Sequence, residues 1–331
     1  MKRPTPQTFA ALGSPLKGQE TLGAAQRVSL IGDIGGTKVL LALVDDGGAI
    51  IQKRRLASAD FSSFDALLDA YLREASAPVD GGCLAVAGPV ADDGRRAKIT
   101  NLPWVIDAAR LEKDFGLGPL TLINDFAGVA LGVTALAPEH LVTLQTGEPS
   151  ADGIRLVLGA GTGLGMAMLV GDQVLPSEGG HAGFAPANET QLRLWTALQE
   201  EHGRVTAERV ISGPGLAAIH RILTGEAADP AEIAERALNK DASARQTVDV
   251  FMGSYGAFAG DMALALMAKG GVFLAGGVTQ KLLPLLHDGA FLAAFNAKAE
   301  HAELVRRMPV HVVTDPDIGL LGAATLARRT H

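Results

Sequence analysis

The sequence predicts an α/β protein of two similarly built domains. Three observations carry this expectation. A strand, a glycine-rich turn and a returning strand occur at about residues 28–44 and again at about 154–170. Short apolar runs of strand length alternate with segments of helical period over the rest of the chain. The length, 331 residues, fits about two domains at ~150 residues each. Two copies of a unit are too few for a solenoid.

The first strand is read at 28–31, the turn at 32–37 and the return at 39–44. A second turn follows at 45–48, as in a hairpin. Residues 60–75 place Phe61, Phe64, Leu67, Leu68 and Tyr71 on one side of a helix. Residues 83–87 are a short buried strand ending at Gly88-Pro89. Asp107 caps a helix that reaches Phe115 and stops at Gly116. Residues 120–123 form a strand that ends in Asn124-Asp125, and a helix follows. In the second unit 154–158 is the strand, 159–165 the loop and 166–170 the return. Helices are expected at 189–202, 206–224, 230–240 and 243–268. Residues 270–277 supply a buried strand entering a third glycine-rich turn. A late strand at 309–314 and a helix at 319–328 close the chain.

Composition narrows the function classes. Hydrophobic residues make up 47% and charged residues 20%, so wholesale disorder is not expected. The net charge of −7 argues against a nucleic-acid partner. The one cysteine, Cys83, rules out an intramolecular disulfide framework and a multi-cysteine metal site. No apolar run reaches the ~20 residues of a membrane helix, and residues 1–27 make a poor signal peptide. A soluble, cytoplasmic protein is expected, with 1–27 a flexible extension. Glycine is in excess, 40 residues against a usual ~7%, and it clusters beside apolar runs. That pattern points to backbone loops that approach a ligand closely.

The turn of Gly32, Asp33, Ile34, Gly35, Gly36 and Thr37 can converge successive N–H groups on a phosphate. Asp33 can hold Mg²⁺ through water, since that ion keeps much of its hydration shell. The same turn also reads as a plain hairpin. No Gly-Lys dipeptide occurs, which excludes a Walker loop. In the second loop the glycines alternate, so the spacing misses the GxGxxG dinucleotide fingerprint. Its centre is Gly161, Thr162 and Gly163, where Thr162 offers a hydroxyl to a terminal phosphate. Together the two loops form a jaw suited to nucleotide phosphates.

Asn124-Asp125 lies at a strand end, where open α/β sheets bind ligands. Asp125 can take a proton from a substrate hydroxyl during phosphoryl transfer, or it can cap the next helix. Glu178 and His181 flank two glycines and can hydrogen-bond vicinal hydroxyls of a polyol; a polar surface loop is the other reading. Glu208 sits in the first turn of a helix capped by Thr206, where the helix dipole alone accounts for it.

Eight blocks now stand in order: GDIGGT, TNLPW, LTLINDFAGVA, LGAGTGLG, PSEGGHAGFAP, AERVISGPGL, GGVFLAGGV and DPDIGLLG. Over about 28–331 this set resembles the bacterial glucokinases of the actin-like, hexokinase-type ATPase superfamily. The resemblance implies two actin-like (ribonuclease H-like) α/β domains forming a clamshell cleft. It also implies ATP-dependent phosphorylation of the glucose 6-hydroxyl with Mg²⁺, at the head of glycolysis, by a homodimer. It makes 32–37 and 159–165 the phosphate loops and Gly276 with Gly277 the adenosine-binding turn. Asp125 becomes the catalytic base. Asn124, Asp125, Glu178, His181 and Glu208 become glucose ligands. Residues 212–215 fall on the nucleotide side, and Gly88-Pro89 with 101–104 on the sugar side.

On this reading the small domain spans 28–135 plus 314–331 and the large domain 136–313. A kinase for mannose, fructose or an amino sugar is one alternative. A non-catalytic nucleotide- or sugar-binding regulator is another, and Asp125 beside both loops favours an enzyme over it. Cysteines for the zinc loop of the repressor branch are missing, as is room for a helix-turn-helix before residue 28. Deleting 2–25 is expected to leave the fold and most activity intact.

Overall fold

The computed structural model describes residues 28–75 and 77–329. The expectation for 1–27 lies outside the described residues. The chain opens with an antiparallel meander: β1 (Val28–Ile34), β2 (Lys38–Asp45) and β3 (Ile50–Ala57). Helix α1 (Phe64–Leu72) then leads into β4 (Val79–Val86), which lies parallel beside β1. A two-stranded ribbon, β5 (Arg96–Lys98) with β6 (Val105–Asp107), and α2 (Ala108–Phe115) precede β7 (Leu120–Asn124). The first sheet has the order β3-β2-β1-β4-β7. Helix α3 (Asp125–Val133) and β8 (Leu141–Gln145) follow.

The second sheet repeats this plan. Strands β9 (Arg155–Ala160), β10 (Leu164–Val170) and β11 (Gln173–Ser177) form another antiparallel meander. Helices α4 (Glu189–His202), α5 (Ala207–Val210), α6 (Gly213–Thr224), α7 (Pro230–Leu238) and α8 (Ala242–Leu266) come next. Strand β12 (Gly271–Ala275) then lies parallel to β9. The short helices α9 (Gly277–Lys281), α10 (Leu283–Leu286), α11 (Ala290–Asn296) and α12 (Ala302–Arg306) lead to β13 (Val310–Val313), and α13 (Ile318–Ala327) ends the described chain. The order is β11-β10-β9-β12-β13-β8, the first plan with β8 added antiparallel at one edge.

The two central strands explain the apolar runs. Both faces of β1 and β9 are covered, so neither shows the polar alternation of a half-exposed strand. The open edge at β3 carries Lys53, Arg54 and Arg55, charges that disfavour pairing with another chain. Under the second sheet Phe251, Tyr255, Phe291 and Phe295 interlock α8 with α11 in edge-on and stacked contacts. Burying each such side chain contributes about 1.5–3 kcal/mol.

Helices α3 and α13 lie between the sheets. Leu320, Ala323, Ala324 and Ala327 of α13 pack on Ile31, Ala42 and Cys83 of the first sheet. Ala130 and Val133 of α3 pack with Val157, Leu169 and Phe273 of the second. The two helices cross closely because Gly128 faces Gly322; a Cβ on Gly322 would collide with the Gly128 carbonyl oxygen.

Several elements differ from expectation for clear reasons. Strand β1 runs on to Ile34, and β9 and β10 narrow the second loop to Gly161–Gly163. The helix expected at 60–75 begins only at Phe64, because Ser63 caps it by accepting from the Ala66 N–H at 3.2 Å. The helix expected at 206–224 is two helices. Ser212 accepts from the Gly215 N–H at 3.1 Å and starts a new helix with Pro214 in its first turn. Asp107 and Gly116 bound α2 as expected, with Gly116 in the left-handed conformation.

Candidate active site

The candidate residues gather where the parallel strands of both sheets end. Such carboxyl ends are where open α/β sheets bind ligands. Gly32 and Ile34 are buried within β1, paired with Leu41 and Val39, and belong to the sheet rather than to a loop. The turn proper is Gly35–Thr37. The buried Ser58 steadies it, its N–H donating to the Thr37 carbonyl at 3.0 Å and its hydroxyl to the Gly35 carbonyl at 3.3 Å.

Asp33 is half-buried beside the first turn of α13, its carboxylate against Gly319. Burial, reinforced by the charge of Asp125, pushes its pKa from 3.8 up to about 6, while Lys38 pulls the other way. The folded chain therefore holds a proton between about pH 4 and 6 that the unfolded chain has released, and stability falls as pH rises through that window. Asp33→Asn removes this penalty. It is expected to raise stability at pH 7.5 by on the order of 2–3 kcal/mol and to change little at pH 4. Thermal melts at both pH values check this; an equal gain at both would contradict it.

The structure separates the two roles read at Asn124-Asp125. Asn124 is the cap of α3: its Oδ1 accepts from the Phe126 N–H at 2.9 Å and the Ala127 N–H at 3.4 Å. Its Nδ2 donates to the Gly88 carbonyl at 3.3 Å. Asp125 is the first helical residue, and its Oδ1 accepts from the Phe126 N–H at 2.9 Å. Burial raises its pKa above the ordinary carboxylate value, with the Phe126 N–H opposing. The charge of Glu178 also acts on Asp125, and that of Asp125 on Asp33, so these carboxylates share one region.

Phe126 carries Asp125 to the second sheet. Its ring lies on Gly159 and Gly165, a cross-strand pair in β9 and β10, and a Cβ at either glycine would meet the ring. These two glycines therefore serve packing. Gly161, Thr162 and Gly163 form the hairpin tip, closed by the Gly161 N–H donating to the Gly163 carbonyl at 2.9 Å. The Leu164 N–H at its exit donates to Glu208 Oε2 at 2.8 Å. Thr206 stands at the cap position of α5 but makes no capping bond, and α5 has four residues, so the dipole reading of Glu208 gives way to this contact.

Glu178 precedes and His181 ends a single 3-10 turn, with Glu178 Oε2 3.7 Å from His181 Nε2. Their side chains are 89% and 57% exposed, open to a ligand. Trp104 is different. It is buried against Phe64, ring centroids 6.5 Å apart, and is a core residue rather than a lining of the sugar side.

A cavity of about 480 Å³ opens beside the hairpin. Gly161, Thr162, Gly213, Pro214 and Gly277, all read from the sequence as nucleotide-side residues, line it together. Asp229, Pro230, Ala231, Ala234 and Lys281 line it too, and nothing in their spacing marks them. Gly276 lies behind the lining; at φ +91 it packs on the Ala160 carbonyl and turns Gly277 outward. A Cβ on Gly161 or Gly277 would meet no protein atom within 4 Å, so both leave open space that a nucleotide can fill.

Among the described residues no group of three or more His, Cys, Asp or Glu could cage a metal ion. Mg²⁺ usually needs only one or two carboxylates besides substrate phosphates and water, and the Asp33 carboxylate beside the Gly35–Thr37 turn fits that chemistry.

Twin sheets with glycine-rich turns at their strand ends and a half-buried carboxylate at the junction are the arrangement of an actin-like sugar kinase. The glucokinase family profile matches residues 30–330. A glucokinase of Nostoc punctiforme is 38% identical, over 91% of this chain and 98% of its own length. One of Mesorhizobium japonicum is 39% identical, over 90% and 91%. The crystal structure of a glucokinase from an Antarctic psychrotroph superposes with a TM-score of 0.80 at 30% identity, over 91% of this chain and 99% of that one. The chain belongs to the glucokinase family.

Proposed function

We propose that this chain transfers the γ-phosphoryl group of ATP to the 6-hydroxyl of D-glucose, with Asp125 as general base. The observation that carries this reading is the half-buried Asp125 carboxylate, relieved of capping by Asn124 and followed by Phe126, whose ring packs on the β9–β10 pair Gly159 and Gly165. Its raised pKa makes it a better proton acceptor than an exposed aspartate.

In the proposed step the hydroxyl oxygen attacks the γ-phosphorus and its proton passes to Asp125. The bond to the β-phosphate oxygen breaks, leaving ADP and glucose 6-phosphate. Asn124, Glu178, His181 and Glu208 orient the sugar. The Gly35–Thr37 and Gly161–Gly163 turns hold the phosphates from opposite sheets, and the cavity beside Gly277 takes the adenosine. Mg²⁺ at Asp33 would neutralise charge on the transferring phosphates. Residues 28–135 with 314–331 act as one lobe and 136–313 as the other, closing to exclude water, the competing acceptor. We extend the reading to a cytoplasmic homodimer feeding glycolysis. No helix among the described residues is long and apolar enough to cross a membrane.

A coupled ADP-release assay over a hexose panel tests the reading. A site built on several hydrogen bonds to hydroxyls rejects sugars that misplace them. Glucose is expected to give the highest kcat/KM; a clear preference for fructose or N-acetylmannosamine would overturn the glucose assignment.

A further inference from the structure

Glu208 enters the proposed function as a sugar ligand, yet its clearest contact is on the phosphate side. Its Oε2 accepts from the Leu164 N–H at 2.8 Å, where the Gly161–Gly163 hairpin leaves for β10. A Cβ on Gly163 would stand 2.5 Å from that same oxygen and 3.9 Å from Oε1. The contact is therefore one-sided: one carboxylate oxygen is committed to the hairpin, and the other faces away from it.

The short segment around Glu208 is tied at three points. Ala207 N–H donates to the Ala182 carbonyl at 2.8 Å, next to His181. Glu208 holds Leu164. Gly213 N–H donates to the Gly161 carbonyl at 2.8 Å. A single stretch of seven residues thus connects the His181 turn with both ends of the phosphate hairpin.

We propose that Glu208 is a positioning residue for the phosphate hairpin as well as a sugar ligand, so that nucleotide affinity depends on it even when no sugar is present. This rests on the sugar-kinase reading above. A carboxylate on a backbone N–H is a charge-assisted bond, stronger than a neutral one and more costly to lose. Without it Leu164 N–H loses its partner and the hairpin loses its fixed exit.

Calorimetry separates the two roles. Binding of AMPPNP with Mg²⁺ is measured on the sugar-free protein, and binding of glucose on the nucleotide-free protein. Glu208→Ala is expected to weaken both, the nucleotide by about tenfold. Glu208→Gln can still present an oxygen to Leu164 N–H, so it is expected to restore nucleotide binding largely while glucose binding stays weak. Gly163→Ala tests the same contact from the other side: its methyl displaces the carboxylate and is expected to weaken glucose binding, although Gly163 belongs to the phosphate hairpin. Melting temperatures accompany each variant. Unchanged AMPPNP affinity in a folded Glu208→Ala protein, or unchanged glucose affinity in Gly163→Ala, would overturn the proposal and leave the kinase reading standing. Failure of the unsubstituted protein to bind glucose would overturn the kinase reading itself.

Discussion

Asp125→Asn is expected to lower kcat by ~10²–10⁴-fold, the usual contribution of a general base, with glucose binding by calorimetry changed far less. The substitution keeps size and retains an oxygen for the Phe126 N–H, which Asp125 Oδ1 accepts at 2.9 Å. The helix start is also safe, because Asn124 carries the cap. Stability is therefore expected to hold or rise, since the variant no longer buries a carboxylate whose charge is disfavoured there. The loss should fall on kcat rather than on KM for glucose. Near-normal turnover in the folded variant would remove Asp125 from the proton transfer.

Gly322→Ala is expected to cost the most stability. The α3–α13 crossing sets Gly322 against Gly128, backbone to backbone, and an added methyl has no side chain to push aside. Overpacking typically costs 1–3 kcal/mol, and a rigid backbone contact places this site at the upper end, about 3 kcal/mol. At ~2–4 °C per kcal/mol that is a fall in Tm of roughly 6–12 °C. Activity should fall with it, because α3 carries Asp125. Gly253→Ala in α8 is the contrasting case. Its methyl would meet only Gln191 Nε2 at 3.8 Å, an ordinary contact. Removing a glycine from a helix interior then favours the fold by about 0.5–1 kcal/mol, so Tm should rise slightly. Equal shifts in the two variants would contradict the close crossing.

The doubled plan of the fold was legible because each meander opens with a fully covered strand, and such strands read as continuous apolar runs. Helices with a marked cap were legible too, as at Asp107 and Gly116 around α2. The edges were not. Strand β3 is charged at its centre, β11 contains Pro176, and α9 to α12 are too short to show a period. In the site, glycine spacing overstated the loops. Gly32 belongs to β1, and Gly159 and Gly165 make room for the ring of Phe126. A glycine cleared for a side chain and a glycine cleared for a phosphate look alike in one dimension. The same limit hid the α7 wall of the cavity beside Gly277 and the contact between Glu208 and Leu164, because both depend on segments brought together only by the fold.

The central claim is the transfer of a phosphoryl group to the 6-hydroxyl of glucose, and phosphorus NMR of the reaction mixture tests it directly. The 331-residue chain is incubated with ATP, Mg²⁺ and glucose, and the new phosphomonoester signal is examined with proton coupling retained. An ester on O6 couples to the paired protons of the C6 methylene and gives a triplet, growing in step with ADP. The account predicts that triplet and no other new ester. A doublet, which marks an ester on a ring carbon, or ADP formed with no sugar ester, would contradict it.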